Sequence, residues 1–551
     1  MNKPLLLSLA AVTILSSNLN AQSMYERIQS MELQMKQMKE ELDSLKAQKE
    51  QEEKTLAKDE KSDAAQIKTA IDTKESDMDE EDDDEESLEE KLAEIEENLS
   101  DLNKITNGNH LKFDVDYRFT WDYLHYEMLD GSIHENDGFL TNRFWLNMNW
   151  AANKHLSFRA QLSYYKSFGE RMSGPDTQYS NESFDWIVNE NPYDDTLKLR
   201  SAYFLYANET FFNADIPWTF SIGRRPSTNG HLINLREDES PASPLAHSIN
   251  VEFDGLSSKF ELEDLTGVDG MYIKFCAGRA ITVAQEKFTP TPYADDRIEN
   301  QALELGGFIF VPYDNGQYSV LTQYYYASNL IEQDFEIAKN DDGTNKVDED
   351  GNPIPIPSGT FTSVGDMHSF TASFLANGIG DGISEFLDDT TFFISGSMNV
   401  TVPKDSQRML YSKIDTSGNL TEPGESKTGY SLWTGVQIPS LLTEDGRWGF
   451  EYNWGSQYWK SITYAEDTLI GSKVATRGSA YEAYFTEYLE DDVLSVQLRY
   501  TYIDYEYKGS NGFFGDRTGA ADKISEITAA TPRSRIIDNS QDVRLYLRYK
   551  Y

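Results

Sequence analysis

The residue types best suited to chemistry meet in one polar stretch. His231 and His247 share it with Asp238, Ser240 and Ser243, which together make up a base, an orienting acid and a hydroxyl nucleophile. The other histidines, His110, His125, His134, His155 and His368, lie far apart and rarely beside a serine or an acid. A loop this polar assembles such a set by composition, so hydrolysis is not the reading taken and no catalytic residue is assigned. The run Asp341-Asp342-Gly343 through Asp348-Glu349-Asp350-Gly351 has calcium-like composition without the spacing of a helix-loop-helix calcium loop. Cys276 is the only cysteine, so no internal disulfide and no Cys/His set for zinc or haem can form. No metal and no cofactor are expected.

Charge placed at regular intervals is the stronger signal. Arg118, Arg143, Arg159, Arg200, Arg225, Arg499, Arg544 and Arg548 all fall on the polar side of segments that alternate apolar and polar residues. Arg200 fits its alternation least well. A polar-facing arginine in such a wall pairs with a neighbouring carboxylate or lines an aqueous interior. The same polar stretch that carries the histidines reads Leu232-Ile233-Asn234-Leu235-Arg236-Glu237-Asp238-Glu239. An apolar turn beside charged residues predicts packing against a wall rather than free solvation. Binding of bridging cations at an outer surface is the competing reading.

The elements that must position these side chains are strands. Leu111, Phe113, Val115, Tyr117, Phe119 and Trp121 alternate with Lys112, Asp114, Asp116, Arg118, Thr120 and Asp122. Comparable segments follow at 140–150, 156–164, 198–207, 218–225, 253–262, 271–281, 301–311, 318–327, 368–375, 392–402, 430–438, 447–454, 480–488, 493–505 and 542–551. That is an antiparallel, all-β arrangement of roughly sixteen strands. Asn315-Gly316 marks one tight hairpin between them. Short turns alternate with long connections near 123–138, 167–196, 226–250, 282–300, 328–366, 403–428, 456–478 and 508–540, with 376–391 longer than the scheme predicts. Short turns on one side of a membrane and long loops on the other produce that alternation.

Composition agrees. Aromatic residues make up 13% of the 551, with 32 tyrosines, and girdles at two membrane interfaces account for such an excess. No run after residue 20 approaches the ~20 apolar residues that a spanning helix needs. A chain of this kind crosses a membrane only as a closed barrel. A formal charge of −44 argues against nucleic acid as a partner.

Ahead of the strands, residues 1–21 read as a secretory signal with cleavage before Gln22. Residues 22–54 carry an a/d seam of Met24, Ile28, Met31, Met35, Met38, Leu42 and Leu45, which predicts an α-helical coiled coil in the periplasm. Residues 55–87 form a charged linker ending in the acids Asp79 to Glu86, and 88–106 hold a second short coil through Leu88, Leu92, Ile95, Leu99 and Leu102. Coiled coils need partners, so a homo-oligomer is expected, a trimer being one option. The barrel is assigned to 107–551.

The C-terminal strand carries the first resemblance. Val543, Leu545, Leu547, Tyr549 and Tyr551 form one apolar row that ends the chain on an aromatic residue. This resembles the terminal strand of Gram-negative outer-membrane β-barrels, which implies recognition by the barrel-insertion machinery and contact with outer-membrane lipid and lipopolysaccharide. A second resemblance is to sixteen-stranded general porins, whose third loop folds into the barrel and sets acids against an arginine ladder. It rests on the strand number, the ordinal position of the 226–250 loop and both charge sets. It implies that Arg236, Glu237, Asp238 and Glu239 form a constriction loop facing the basic wall. The chain as a whole, including Gly223-Arg224-Arg225-Pro226-Ser227-Thr228 and Ala242-Ser243-Pro244-Leu245-Ala246-His247, is similar to an uncharacterised porin family of Gram-negative outer-membrane barrels. General porins begin directly at their first strand, so the N-terminal coil is a departure from them.

The resulting expectation is an outer-membrane β-barrel for passive diffusion of small hydrophilic solutes or ions. Two other classes remain open. One is a plugged barrel anchoring the membrane to the cell wall or a periplasmic partner through the coil. The other is a barrel sheathing an electron-transfer partner that brings its own haem.

Overall fold

Period-two alternation becomes strand wherever both faces of the segment find a suitable medium, and here it does so along most of the chain. A computed structural model describes residues 111–169, 192, 194, 196–225, 227–240, 242–281, 302–347, 351, 353–380, 382–410, 423–463, 468–490, 492–510, 520–527 and 533–551. The chain divides into units of residues 1–104 and 105–551, and every described residue belongs to the second. The expected signal, both coils and the acidic linker lie outside the described residues.

The first strands are β1 (Leu111–Met128), β2 (Ile133–Ala151), β3 (Leu156–Ser167), β4 (Lys198–Asn208) and β5 (Trp218–Arg225). Three short strands follow, β6 (Gly230–His231), β7 (Ala242–Leu245) and β8 (Ile249–Asn250). Then come β9 (Phe253–Glu261), β10 (Tyr272–Ile281), β11 (Leu303–Asp314), β12 (Tyr318–Ile337) and β13 (Pro355–Asn377). The series continues with β14 (Thr391–Pro403), β15 (Thr428–Pro439), β16 (Arg447–Gly455) and the short β17 (Ile462–Thr463). It ends with β18 (Gly478–Glu490), β19 (Leu494–Tyr505) and β20 (Ile537–Lys550). All but β6, β7, β8 and β17 pair in sequence order into one closed antiparallel barrel of sixteen strands, and β20 returns to pair with β1. Tyr551 completes that seam, its N–H donating to the Val115 carbonyl at 2.8 Å.

The outward face carries exposed apolar side chains all round, among them Phe113, Ile222, Phe275, Phe370, Phe450 and Leu547. A soluble protein would bury such a belt, whereas a bilayer solvates it. Among the described residues no helix is long and apolar enough to cross a membrane. Closure leaves no unpaired sheet edge to desolvate.

Two connections differ from the sequence expectation. The long loop expected over 123–138 is mostly strand, because β1 and β2 pair as far as Glu127 and Ile133 and leave only a short turn at 129–132. Likewise β12 and β13 extend into 328–366 and pair as far as Ile337 and Pro355. In both hairpins the apolar alternation stops before the ladder does. Beyond the lipid belt, water solvates either face, and side-chain hydrophobicity no longer reports the strand.

Candidate functional site

The third loop, residues 226–252, turns into the barrel rather than away from it. It contains β6, a single helical turn at Ile233–Glu237, β7 and β8. Its apolar turn has a destination. Leu232 and Ile233 pack with Ala246 against Phe393, Trp433 and Val474, while Leu245 packs on Ile309 and Val311. Full burial of each such side chain is worth about 1.5–3 kcal/mol, so apolar contact alone gives the loop a strong reason to stay inside.

The charged half of that turn meets the arginine wall. Arg118 lies directly opposite Arg143 on β2 and opposite Arg548 on β20, and Arg499 lies opposite Arg544. Like charges in direct register repel, and carboxylates from two sources offset them. From the wall, Asp116 pairs with Arg548 at 2.5 Å and Arg143 at 3.6 Å, and Asp122 pairs with Arg544 at 2.5 Å. From the loop, Glu237 pairs with Arg499 at 3.0 Å and Arg118 at 3.6 Å, and Glu239 pairs with Arg548 at 2.7 Å. Arg236 points the other way, to Glu482 on β18 at 2.9 Å. Asp238 contributes its carbonyl, which accepts from Lys550 Nζ at 2.9 Å.

The rest of the predicted basic wall divides. Arg200 sits at a one-residue bulge between β3 and β4, which turns it inward and explains its irregular alternation. It donates to Glu252 at 2.9 Å and to Thr228 at 2.8 Å, both on the third loop. Arg225 donates to Ser221 and lies over the Tyr203 ring at 4.6 Å. Arg159 stands opposite Asn149 and Tyr203 and is exposed. Arg118, Arg143, Arg200, Arg499, Arg544 and Arg548 are all buried, so Arg159 and Arg225 are the two that stand apart from the ion-pair cluster. The terminal row behaves as an outer surface, with Leu545, Leu547, Tyr549 and Tyr551 exposed.

A second connection, the seventh loop at 456–477, also fills the interior and was not singled out from sequence. Its β17 pairs in parallel with β8, Ile462 opposite Ile249, so the two loops share a short ladder. Lys473 bridges Glu451 on β16 and Glu482 on β18 at 2.6 Å each. Trp459 is wholly buried and donates to the Val474 carbonyl at 2.7 Å. The same alternation that located the arginines places Glu451 and Glu482 inward beside outward Phe450 and Tyr481, and applying it to acids would have found both.

The hydrolytic set is not assembled. His247 Nδ1 and Nε2 lie 2.8 Å from Ser395 Oγ and Ser431 Oγ, two wall hydroxyls, and not from Ser240 or Ser243. Ser431 donates to the Trp454 carbonyl, so it accepts from Nε2–H, and Nδ1 accepts from Ser395. Burial between Trp433 and Trp459 pushes the His247 pKa down to about 3, and burial alone pushes His231 down to about 4. Both rings are held neutral, and His247 pins the loop to two wall strands. Ser243 accepts from Lys274. Among the described residues no group of three or more His, Cys, Asp or Glu side chains could hold a metal ion.

A family profile described as a protein of unknown function (DUF3373) matches residues 133–551. The chain belongs to this DUF3373 family. The matched span covers both inner loops and all the barrel strands from β2 onward. No curated protein matches the sequence. Among solved structures, the chain is similar to an anion-selective porin from Comamonas acidovorans, at 9% identity over 80% of this chain and 99% of that one, with a TM-score of 0.42. It is also similar to OprB of Pseudomonas putida, at 13% identity over 82% and 96%, with a TM-score of 0.41. A third likeness is to OmpF of Salmonella typhi in complex with daunomycin, at 12% identity over 81% and 98%, with a TM-score of 0.39. Likeness at this level carries nothing about function.

Proposed function

We propose that this DUF3373 protein is an outer-membrane porin that passes small hydrophilic solutes or ions by passive diffusion, through a lumen narrowed by its third and seventh loops. The observation that carries this reading is the uneven filling of the lumen. On the β18–β20–β1 side, Glu237, Glu239 and Lys473 close ion pairs that leave the wall buried. On the β3–β10 side three inward cations keep contact with water, Arg159 exposed, Lys259 30% exposed and Arg225 half-buried, above buried hydroxyls such as Ser221 and Ser257. Fixed charge and oriented dipoles along a narrow aqueous wall favour hydrated polar solutes over apolar ones. In this reading Arg236, Glu237, Asp238 and Glu239 hold the constriction against the barrel wall, and Arg159 and Arg225 face the solute. The outward row of Val543, Leu545, Leu547, Tyr549 and Tyr551 supports recognition by the insertion machinery and delivery to the outer membrane.

A plugged anchoring barrel is the second reading. It is favoured by the burial of Arg118, Arg499 and Arg544, each at most 1% exposed, where an open aperture would wet them. Single-channel recording of the refolded protein in a planar bilayer under a salt gradient separates the two. Stable ohmic steps are expected. A silent bilayer from folded, heat-modifiable protein would overturn the porin reading in favour of the plug.

A further inference from the structure

Several buried cations in this barrel face carboxylates. Arg200 has Glu252, Arg544 has Asp122 and Arg548 has Asp116. Lys274 and Arg225, both half-buried, do not. Both line one half-open cavity of about 90 Å³ between the third loop and the β9–β12 wall, and among the described residues neither has a carboxylate at ion-pairing distance. Lys274 donates to Ser243 on the loop, and Arg225 donates to Ser221 and stacks over Tyr203. Lys259 stands directly opposite Lys274 in the β9–β10 ladder and takes Glu261 as its own partner at 2.6 Å, so the nearest carboxylate on this wall is already engaged. Two positive charges in a half-buried, aromatic-walled space are costly unless a counter-charge joins them. The cavity has room for several waters or one small oxyanion.

We propose that this cavity binds a small oxyanion, a phosphate or a carboxylate, held between Lys274 and Arg225. The ammonium keeps two donors beyond the one given to Ser243, and the guanidinium supplies a planar fork suited to two oxygens of one anion. Ser227 and Ser243 line the same space. The site gives the proposed passage a resting point for its anions, and it rests on that passage only in requiring that the cavity exchange with bulk water.

Cys276, the chain's single cysteine, lines the same cavity and serves as an internal reporter. The experiment compares rates of Cys276 modification by an anionic and a cationic methanethiosulfonate, in full-length refolded protein in detergent. Both reagents attack the same thiolate, so their rate ratio reports local potential and access, and the ratio in unfolded protein supplies the reference. The ratio is expected to favour the anionic reagent by about tenfold or more over that reference. Inorganic phosphate should slow both reactions relative to the bulkier sulfonate buffer MES at matched ionic strength. Combined Lys274→Gln and Arg225→Gln substitution should return the ratio to reference and abolish the phosphate effect, while Lys274→Arg should retain both. Heat-modifiable migration on gels checks that each variant is folded.

A ratio equal to the unfolded reference, indifference to phosphate, or no reaction in the folded protein would each overturn the site. The passage is judged separately in the bilayer. Ohmic steps without charge preference at Cys276 overturn the site and leave the porin reading standing. A silent bilayer with the preference intact does the reverse.

Discussion

Glu237 Oε1 lies 3.0 Å from Arg499 Nη2 although 262 residues separate them in the chain, and the same carboxylate reaches Arg118 and Arg236. One acid therefore neutralises part of three buried guanidinium groups. Glu237→Gln keeps its shape and removes its charge. Breaking one partner from a buried ion pair costs about 3–5 kcal/mol, so the temperature at which the folded barrel opens in detergent should fall clearly. Channel conductance should rise as the third loop loosens. Unaltered melting and conductance would show that the apolar contacts alone hold the loop.

Lys473 makes a parallel prediction for the seventh loop. It is 2% exposed and sits 2.6 Å from both Glu451 and Glu482. Lys473→Met fills its volume while leaving two buried carboxylates without their shared cation. Stability should drop by about 3–5 kcal/mol, and more than for Lys473→Met combined with Glu451→Gln, because the second change removes one of the stranded charges. Equal losses for the single and double variants would sink the bridging role.

The buried histidines set a direction for pH. His231 and His247 are held at about 4 and about 3 when folded, below the ordinary 6.5. The unfolded chain therefore binds more protons below pH 6.5 than the folded one. Their contribution to stability is complete above pH 6.5 and is lost as pH falls toward 4 and 3. Each ring contributes a slope approaching about 1.4 kcal/mol per pH unit. The groups around His247, namely Ser395, Ser431, Trp433 and Trp459, do not titrate in this range. Melting followed by circular dichroism between pH 6.5 and 5 isolates the ring when the parent is compared with His247→Gln, whose slope should be lower by up to about 1.4 kcal/mol per pH unit. Identical slopes in the parent and the variant would mean that the His247 ring is solvated.

The two arginines on β2 and β3 should respond differently to charge reversal. Arg159 is exposed in the lumen, whereas Arg143 is buried over the Trp145 ring at 3.4 Å and beside Asp116. Arg159→Glu should shift the reversal potential toward cations at little cost in stability. Arg143→Glu places a second acid against Asp116 and should destabilise the barrel by several kcal/mol. The same shift in reversal potential from both variants, with equal stability, would contradict the separation of wall and passage.

Most of the barrel was legible because lipid and water sort side chains with a period of two. Leu111 to Asp122 and Val543 to Tyr551 show that sorting at either end. It failed at Ile133 to Gly138, where the strand continues into water and its side chains are no longer sorted. Inward arginines could be picked out by the same rule. The meeting of Arg236 with Glu482 could not, since it comes only through a loop crossing a closed barrel, and strand alternation holds no information about which wall a loop reaches. Lys473 and His247 were hidden for the same reason. The bulge at Arg200 marks another limit, because one inserted residue reverses parity without any change in composition.

Glu237 and its neighbours bridge the place where the ring of strands is completed. Glu237 pairs with Arg118 on β1 and Arg499 on β19, and its carbonyl accepts from Arg548 on β20 at 2.5 Å. Those three strands become neighbours only when the last residues of the chain join the first strand. This set of contacts is therefore complete only in a barrel that has already shut. A chain cut short before β20 would lose its seam and, with it, the bonds from Arg548 to the third loop.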